Sequence, residues 1–89
     1  MMAERSVTIV NKHGLHARPA AEIVKLAAKY QSDIVIARDE LEVNGKSIMG
    51  VMMLAAEYGS TLQLRANGPD AESALEALAG LIAAKFGES

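Results

Sequence analysis

The apolar residues of this chain change period repeatedly, and that alternation limits the folds open to it. "SVTIV", Ser6 to Val10, alternates and is rich in β-branched residues, which predicts a strand. From Ala17 to about Tyr30, Ala20, Ile23, Val24 and Ala27 recur at helical spacing, with Glu22, Lys25 and Lys29 facing outward. "SDIVIAR" returns to the strand pattern, and "LEV" ahead of Asn44-Gly45 predicts a short third strand closed by a turn. Ser47 stands where an N-cap belongs, before a helix over "IMGVMMLAAEYG" whose far end Gly59 is expected to cap. "TLQLRA" predicts a fourth strand. "NGPDAESALEALAGLIAAKF" predicts the last helix, with Pro69 at its first position and Asp70 and Glu72 at its positive end. Leu75, Leu78 and Ile82 form its buried stripe.

The resulting order, βαββαβα, predicts an α+β fold. A single four-stranded antiparallel sheet is covered on one face by three helices, and its other face stays in water. Function then falls on helix ends and loops. With 89 residues and no linker or repeat, one domain over 1–89 is expected. One Phe, two Tyr and no Trp require an aliphatic core. The absence of cysteine excludes disulfides, zinc fingers and thiol chemistry, and fits a cytoplasmic protein. The start, "MMAERSVTIV", has no long apolar run, and no segment approaches the ~18 apolar residues of a membrane span, so no membrane insertion is expected. The acidic start and single late lysine of the last helix's polar face argue for a core helix, not a membrane-surface one. A net charge of −2 and few aromatic residues argue against nucleic acid as a partner.

Both histidines lie in "HGLHARP", His13 to Pro19. The H-x-x-H spacing would bring two imidazoles onto one metal only if both rode one helix face. Gly14 and Pro19 instead place the helix start after His13, and no third ligand is near, so no metal site is expected. His16 then falls at the N-cap or first turn, where Pro19 is tolerated because first-turn amides have no intrahelical partner. Those amides and the helix dipole favour an anion and disfavour imidazolium, which would keep the ring nucleophilic. Arg18 adds a planar donor fork suited to phosphate oxygens, and Gly14 lets the chain turn tightly. The residues by themselves leave two readings: a site that accepts a phosphoryl group on nitrogen, or a structural N-cap histidine beside a solvated arginine. In "SIMGVMM", Ile48 pairs with Met52 and Met49 with Met53 on neighbouring helix faces, so not all four can be core. Ile48 and Met52 are expected to be at least partly exposed.

"HGLHARPAAEIV" closely resembles the active-site signature of the HPr family, the histidine-containing phosphocarriers of the bacterial phosphotransferase system. "NGKSIMGVMMLAA" resembles that family's second signature, around its regulatory serine, and the resemblance runs over essentially the whole chain. It implies an open-faced β-sandwich, with His16 as phosphoryl acceptor, Arg18 as its electrostatic partner and Ser47 as a regulatory phosphorylation site. An exposed patch on the helix after Ser47, near that histidine, would serve docking through Ile48, Met49 and Met52. The implied partners are enzyme I, which donates the phosphoryl group, the sugar-specific components that receive it, and a serine kinase or phosphorylase. No cofactor is implied. His13 departs from the family pattern, where a small polar residue is common. Two alternatives stand beside the sugar carrier: a nitrogen-branch carrier, and a regulatory relative acting through its phosphorylatable serine. A small-ligand-binding regulatory domain would have no reason to display His16 beside Arg18.

Overall fold

The computed structural model describes residues 1–88. Its strands are β1 (Met2–Thr8), β2 (Asp33–Arg38), β3 (Leu41–Asn44) and β4 (Thr61–Asn67). Its helices are α1 (Ala17–Ala27), α2 (Ile48–Met53) and α3 (Ala71–Ala83). The sheet runs β1-β4-β2-β3 with every neighbouring pair antiparallel. Because side chains alternate across a strand, the register decides which set is buried. Ile36 stands opposite both Leu64 and Val43, and Ile34 opposite Ala66. These residues and Leu62 face the helices, and all but the half-buried Val43 are buried. The intervening Gln63 and Arg65 lie on the open face, where Arg65 meets Glu42 at 2.8 Å. So exposed an ion pair contributes little.

α3 lies over β1 and β4, and α1 packs against both α2 and α3. Ile23, Leu78 and Ile82 close an aliphatic core, which Phe86 joins from the chain's last turn. Leu75, Leu78 and Ile82 are buried as the helical period predicts. The fold is the one-sided four-stranded sheet that the alternation predicts, an open-faced sandwich as the resemblance implies.

Several boundaries differ from the sequence expectation, each for a physical reason. β1 begins at Met2, not Ser6, because β4 supplies backbone partners along its whole length, from Thr61 opposite Thr8 to Asn67 opposite Met2. Pairing, not the polar pattern of "AER", decides that stretch. α1 stops at Ala27, and Lys29 and Tyr30 donate to Leu26 and Ala27 in a tighter last turn. α2 stops at Met53, far short of Gly59, which instead donates to Ile9 O in the loop before β4. Pro69 is not the first residue of α3; the N-cap is Asp70 and the helix starts at Ala71.

Asp70 does not cap its own helix with its side chain. Its carboxylate accepts from Ser32 Oγ at 2.6 Å and from the amides of Gln31 and Ser32, both at 2.9 Å. Gly68 makes the approach possible: with φ of +153°, a Cβ there would lie 2.5 Å from Ser32 Oγ. The Ser32 hydroxyl, then the Gln31 amide, hold the Asp70 carboxyl below its usual range. A depressed folded-state value means that the latch stabilises the fold above the unfolded carboxyl's value and loses that contribution as pH falls through the folded one. Asp70→Asn therefore melts lower than wild type at pH 7, and the gap closes toward pH 3. Thermal melts at both pH values test this; an equal gap at both would contradict an ionised latch.

Candidate functional site

The histidine turn is shaped from below by backbone. Gly14 takes φ of +67°, and a Cβ on it would stand 2.5 Å from Ala56 O and 2.8 Å from Glu57 Cα. Only glycine fits there without displacing the opposite loop. The next residue, Leu15, donates its amide to Ala56 O at 2.8 Å and buries its side chain. Chain direction is thus fixed one residue before His16. His16 adopts an extended N-cap conformation (φ −75°, ψ −175°) and its carbonyl accepts from Ala20 N at 3.1 Å. Its ring caps no amide, so the side chain is left for other work. The amides of Ala17 and Arg18 open the helix with no partner inside it.

A carboxylate from the other end of the chain occupies this helix start. After α3, Lys85 and Phe86 take φ of +60° and +55°, and Gly87 +77°. Left-handed backbone at a non-glycine residue costs about 1–2 kcal/mol. Burying the Phe86 ring offsets a comparable amount, about 1.5–3 kcal/mol. The turn delivers Glu88 to the histidine. Its carboxylate lies 3.1–3.2 Å from His16 Nε2 and 2.8 Å from Arg18 Nη1. Asn11 Nδ2 donates to Glu88 Oε1 at 3.2 Å and to Gly14 O at 2.8 Å. Asn11 is fully buried and its Oδ1 has no partner among the described residues, a desolvation cost of about 1–3 kcal/mol. Its amide therefore stiffens the turn at a cost in stability.

Partial burial, the largest single influence, pushes the Glu88 carboxyl up. The hydrogen bonds from His16 and Asn11, the charge of His16 and the bond from Arg18 together outweigh it and leave the carboxyl below its usual range. A carboxylate only accepts, so the His16 contact places a proton on Nε2, and whenever the ring is neutral its lone pair lies on Nδ1. His16 and Arg18 remain 42% and 58% exposed, open to an incoming group. The arrangement is a three-donor anion cradle formed by His16, Arg18 and Asn11.

His16 and Arg18 both reach the Glu88 carboxylate. The His13 ring stands edge-on to His16, with centroids 6.1 Å apart and planes at 86°. Among the described residues no group of three or more metal-ligating side chains gathers. Ser47 caps α2 by accepting from Gly50 N at 3.1 Å. Behind it Ile48 and Met52 are partly exposed, Met49 and Met53 more so, and Val51 fills the core instead. Sequence reasoning missed Glu88 and Asn11. A carboxylate 72 residues away along the chain carries no periodic signal, and an asparagine two residues before a histidine reads as loop.

A small open-faced sandwich with an imidazole at a helix start and an arginine two residues on defines a class of histidine-bearing carrier domains. The comparisons narrow it. The family model described as the PTS HPr component phosphorylation site matches residues 3–84. The chain is 51% identical over 87 residues to a phosphocarrier protein HPr of Cupriavidus necator, covering 98% of each. It is 42% identical over 86 residues to a phosphocarrier protein NPr of Shewanella violacea, covering 97% of this chain and 94% of that protein. The crystal structure of an HPr from Thermoanaerobacter tengcongensis superposes with a TM-score of 0.94 at 48% identity, over 98% of both chains. The chain belongs to the HPr family, the phosphocarriers of the phosphotransferase system.

If the cradle holds Glu88 as described, His16→Ala removes the strongest of its favourable contacts. The Glu88 carboxyl then titrates at higher pH than in wild type, read by carbon NMR of the side-chain carboxyl. An unchanged midpoint would mean that the carboxylate does not lean on the imidazole.

Proposed function

We propose that His16 accepts a phosphoryl group from the phosphohistidine of enzyme I and passes it to sugar-specific components of the phosphotransferase system. The chain acts in the cytoplasm as a single carrier domain and turns over nothing alone. One observation supports this best: Nε2 of His16 is held by Glu88 at 3.1–3.2 Å, which leaves Nδ1 as the nucleophile at an open helix start. The Nδ1 lone pair attacks phosphorus, the P–N bond to the donor breaks, and the donor nitrogen keeps the bonding pair. The Nε2 proton stays on the ring, and Glu88 balances the positive charge that forms there. Arg18 and the first-turn amides receive the phosphoryl oxygens. Among the described residues no helix is long and apolar enough to cross a membrane, which is compatible with the cytoplasmic reading.

Docking is assigned to Ile48, Met49 and Met52, on the exposed side of α2, where flexible methionines can fit donor and acceptor alike. Ser47, at the start of that helix, is the regulatory site for a serine kinase and phosphorylase. The similarity to a protein named NPr supports a second reading, a nitrogen-branch carrier with the same chemistry and a different donor. A regulatory relative acting through Ser47 alone would not need the cradle at His16.

Incubation with enzyme I and phosphoenolpyruvate, followed by mass spectrometry at acid and alkaline pH, tests the main reading. One acid-labile phosphoryl group is expected, lost in His16→Ala and largely kept in His13→Ala. Comparable loss in both variants would contradict a single acceptor.

For Ser47 the helix cap and the switch make separate predictions. Ser47→Asp keeps a capping oxygen, so its melting temperature stays near wild type. The negative charge beside Ile48 opposes a partner whose phosphohistidine is itself anionic, so the initial transfer rate falls at sub-saturating enzyme I. Normal transfer by this variant would leave Ser47 as a cap only.

A further inference from the structure

α2 ends with no basic residue in its last turn, so nothing on the helix answers its negative end. The end of β2 does. Arg38 Nη1 donates to Leu54 O at 3.1 Å and to Ala55 O at 2.7 Å. Both are charge-assisted bonds to carbonyls that a helix end leaves orphaned. Arg38 also lies 3.8 Å from Glu57, an exposed contact that adds little. Between the gripped carbonyl and the next, Ala55 has φ of +47°, a region alanine occupies only when its surroundings hold it there. The following carbonyl, Ala56 O, accepts from Leu15 N at 2.8 Å, one residue before His16. A Cβ at Gly14 would meet Ala56 O and Glu57 Cα, so the 54–57 loop and the histidine turn lie in direct backbone contact.

We infer that Arg38 is a positioning residue for His16. Its guanidinium holds the 54–57 loop in the one shape that presents Ala56 O to the Leu15 amide, and so locks the docking helix to the histidine turn. Arg38 contacts neither His16 nor Arg18; it acts through Ala55, Ala56 and Leu15. The inference rests on the carrier reading only for its kinetic consequence, and the structural consequence stands apart from it.

Two variants separate the possibilities. Arg38→Gln removes charge and fork, whereas Arg38→Lys keeps the charge. By hydrogen exchange, the Leu15 amide of Arg38→Gln opens about tenfold faster than in wild type, the scale of one charge-assisted bond. The Ile36 and Leu64 amides of the sheet keep their rates, and Arg38→Lys recovers part of the Leu15 protection. With enzyme I as donor, kcat of Arg38→Gln falls about tenfold while KM stays within about twofold, as expected when orientation is lost and docking is kept. Wild-type exchange at Leu15 would overturn the inference whatever the kinetics. So would an equal rise at Leu15, Ile36 and Leu64, which would make Arg38 a support of the whole fold. If wild type accepts no phosphoryl group, the carrier reading fails, and exchange at Leu15 still decides the role of Arg38.

Discussion

The site hangs on one close backbone approach, Gly14 against Ala56 and Glu57, sealed by the Leu15 amide on Ala56 O. The residues proposed to act lie to one side or the other of this seam. On one side the chain turns into the N-cap of α1 and presents His16. On the other, the loop runs back to α2 with its exposed methionines and its Ser47 cap. A hydrogen bond buried at such a contact is worth about 0.5–1.5 kcal/mol in stability. Its larger effect is geometric, because it fixes where the first turn of α1 points.

The second organising element is Glu88, which ties the last residues described to the helix start. It does three things through one carboxylate. It sets the His16 tautomer, it holds Arg18 beside the ring, and it accepts from the buried Asn11 amide. Asn11 makes the link rigid, at the cost of a buried oxygen without a partner among the described residues. Such a polar cost is typical of positions where geometry matters more than stability. The two left-handed non-glycine residues before Glu88, Lys85 and Phe86, belong to the same trade.

Periodic patterning made most of the fold legible, since alternation and helical spacing report burial directly. It also made His16 legible as an N-cap, because Gly14 and Pro19 bracket the helix start, and Ser47 likewise. What patterning could not show was contact made by single atoms across long separations. Glu88 reaches His16 only because Phe86 buries itself in a left-handed turn that no residue type demands. Ala56 acts through a carbonyl that every residue possesses. The predicted extension of α2 to Gly59 failed for a related reason. Leu54 and Ala55 find their carbonyl partners on Arg38 rather than on a continued helix. Resemblance to the HPr family singled out His16 and Ser47, and physical contact supplied the residues that hold the His16 turn.

The central claim is that Glu88 reserves Nε2 of His16 and so directs phosphoryl transfer to Nδ1. Nitrogen-15 labelling of the histidines, with long-range proton–nitrogen and phosphorus NMR on the freshly phosphorylated protein, reads the site of attachment directly. Phosphorus coupled to Nδ1 of His16, with Nε2 still bearing its proton, is the result expected. Phosphorus on Nε2 of His16, or on either nitrogen of His13, would contradict it.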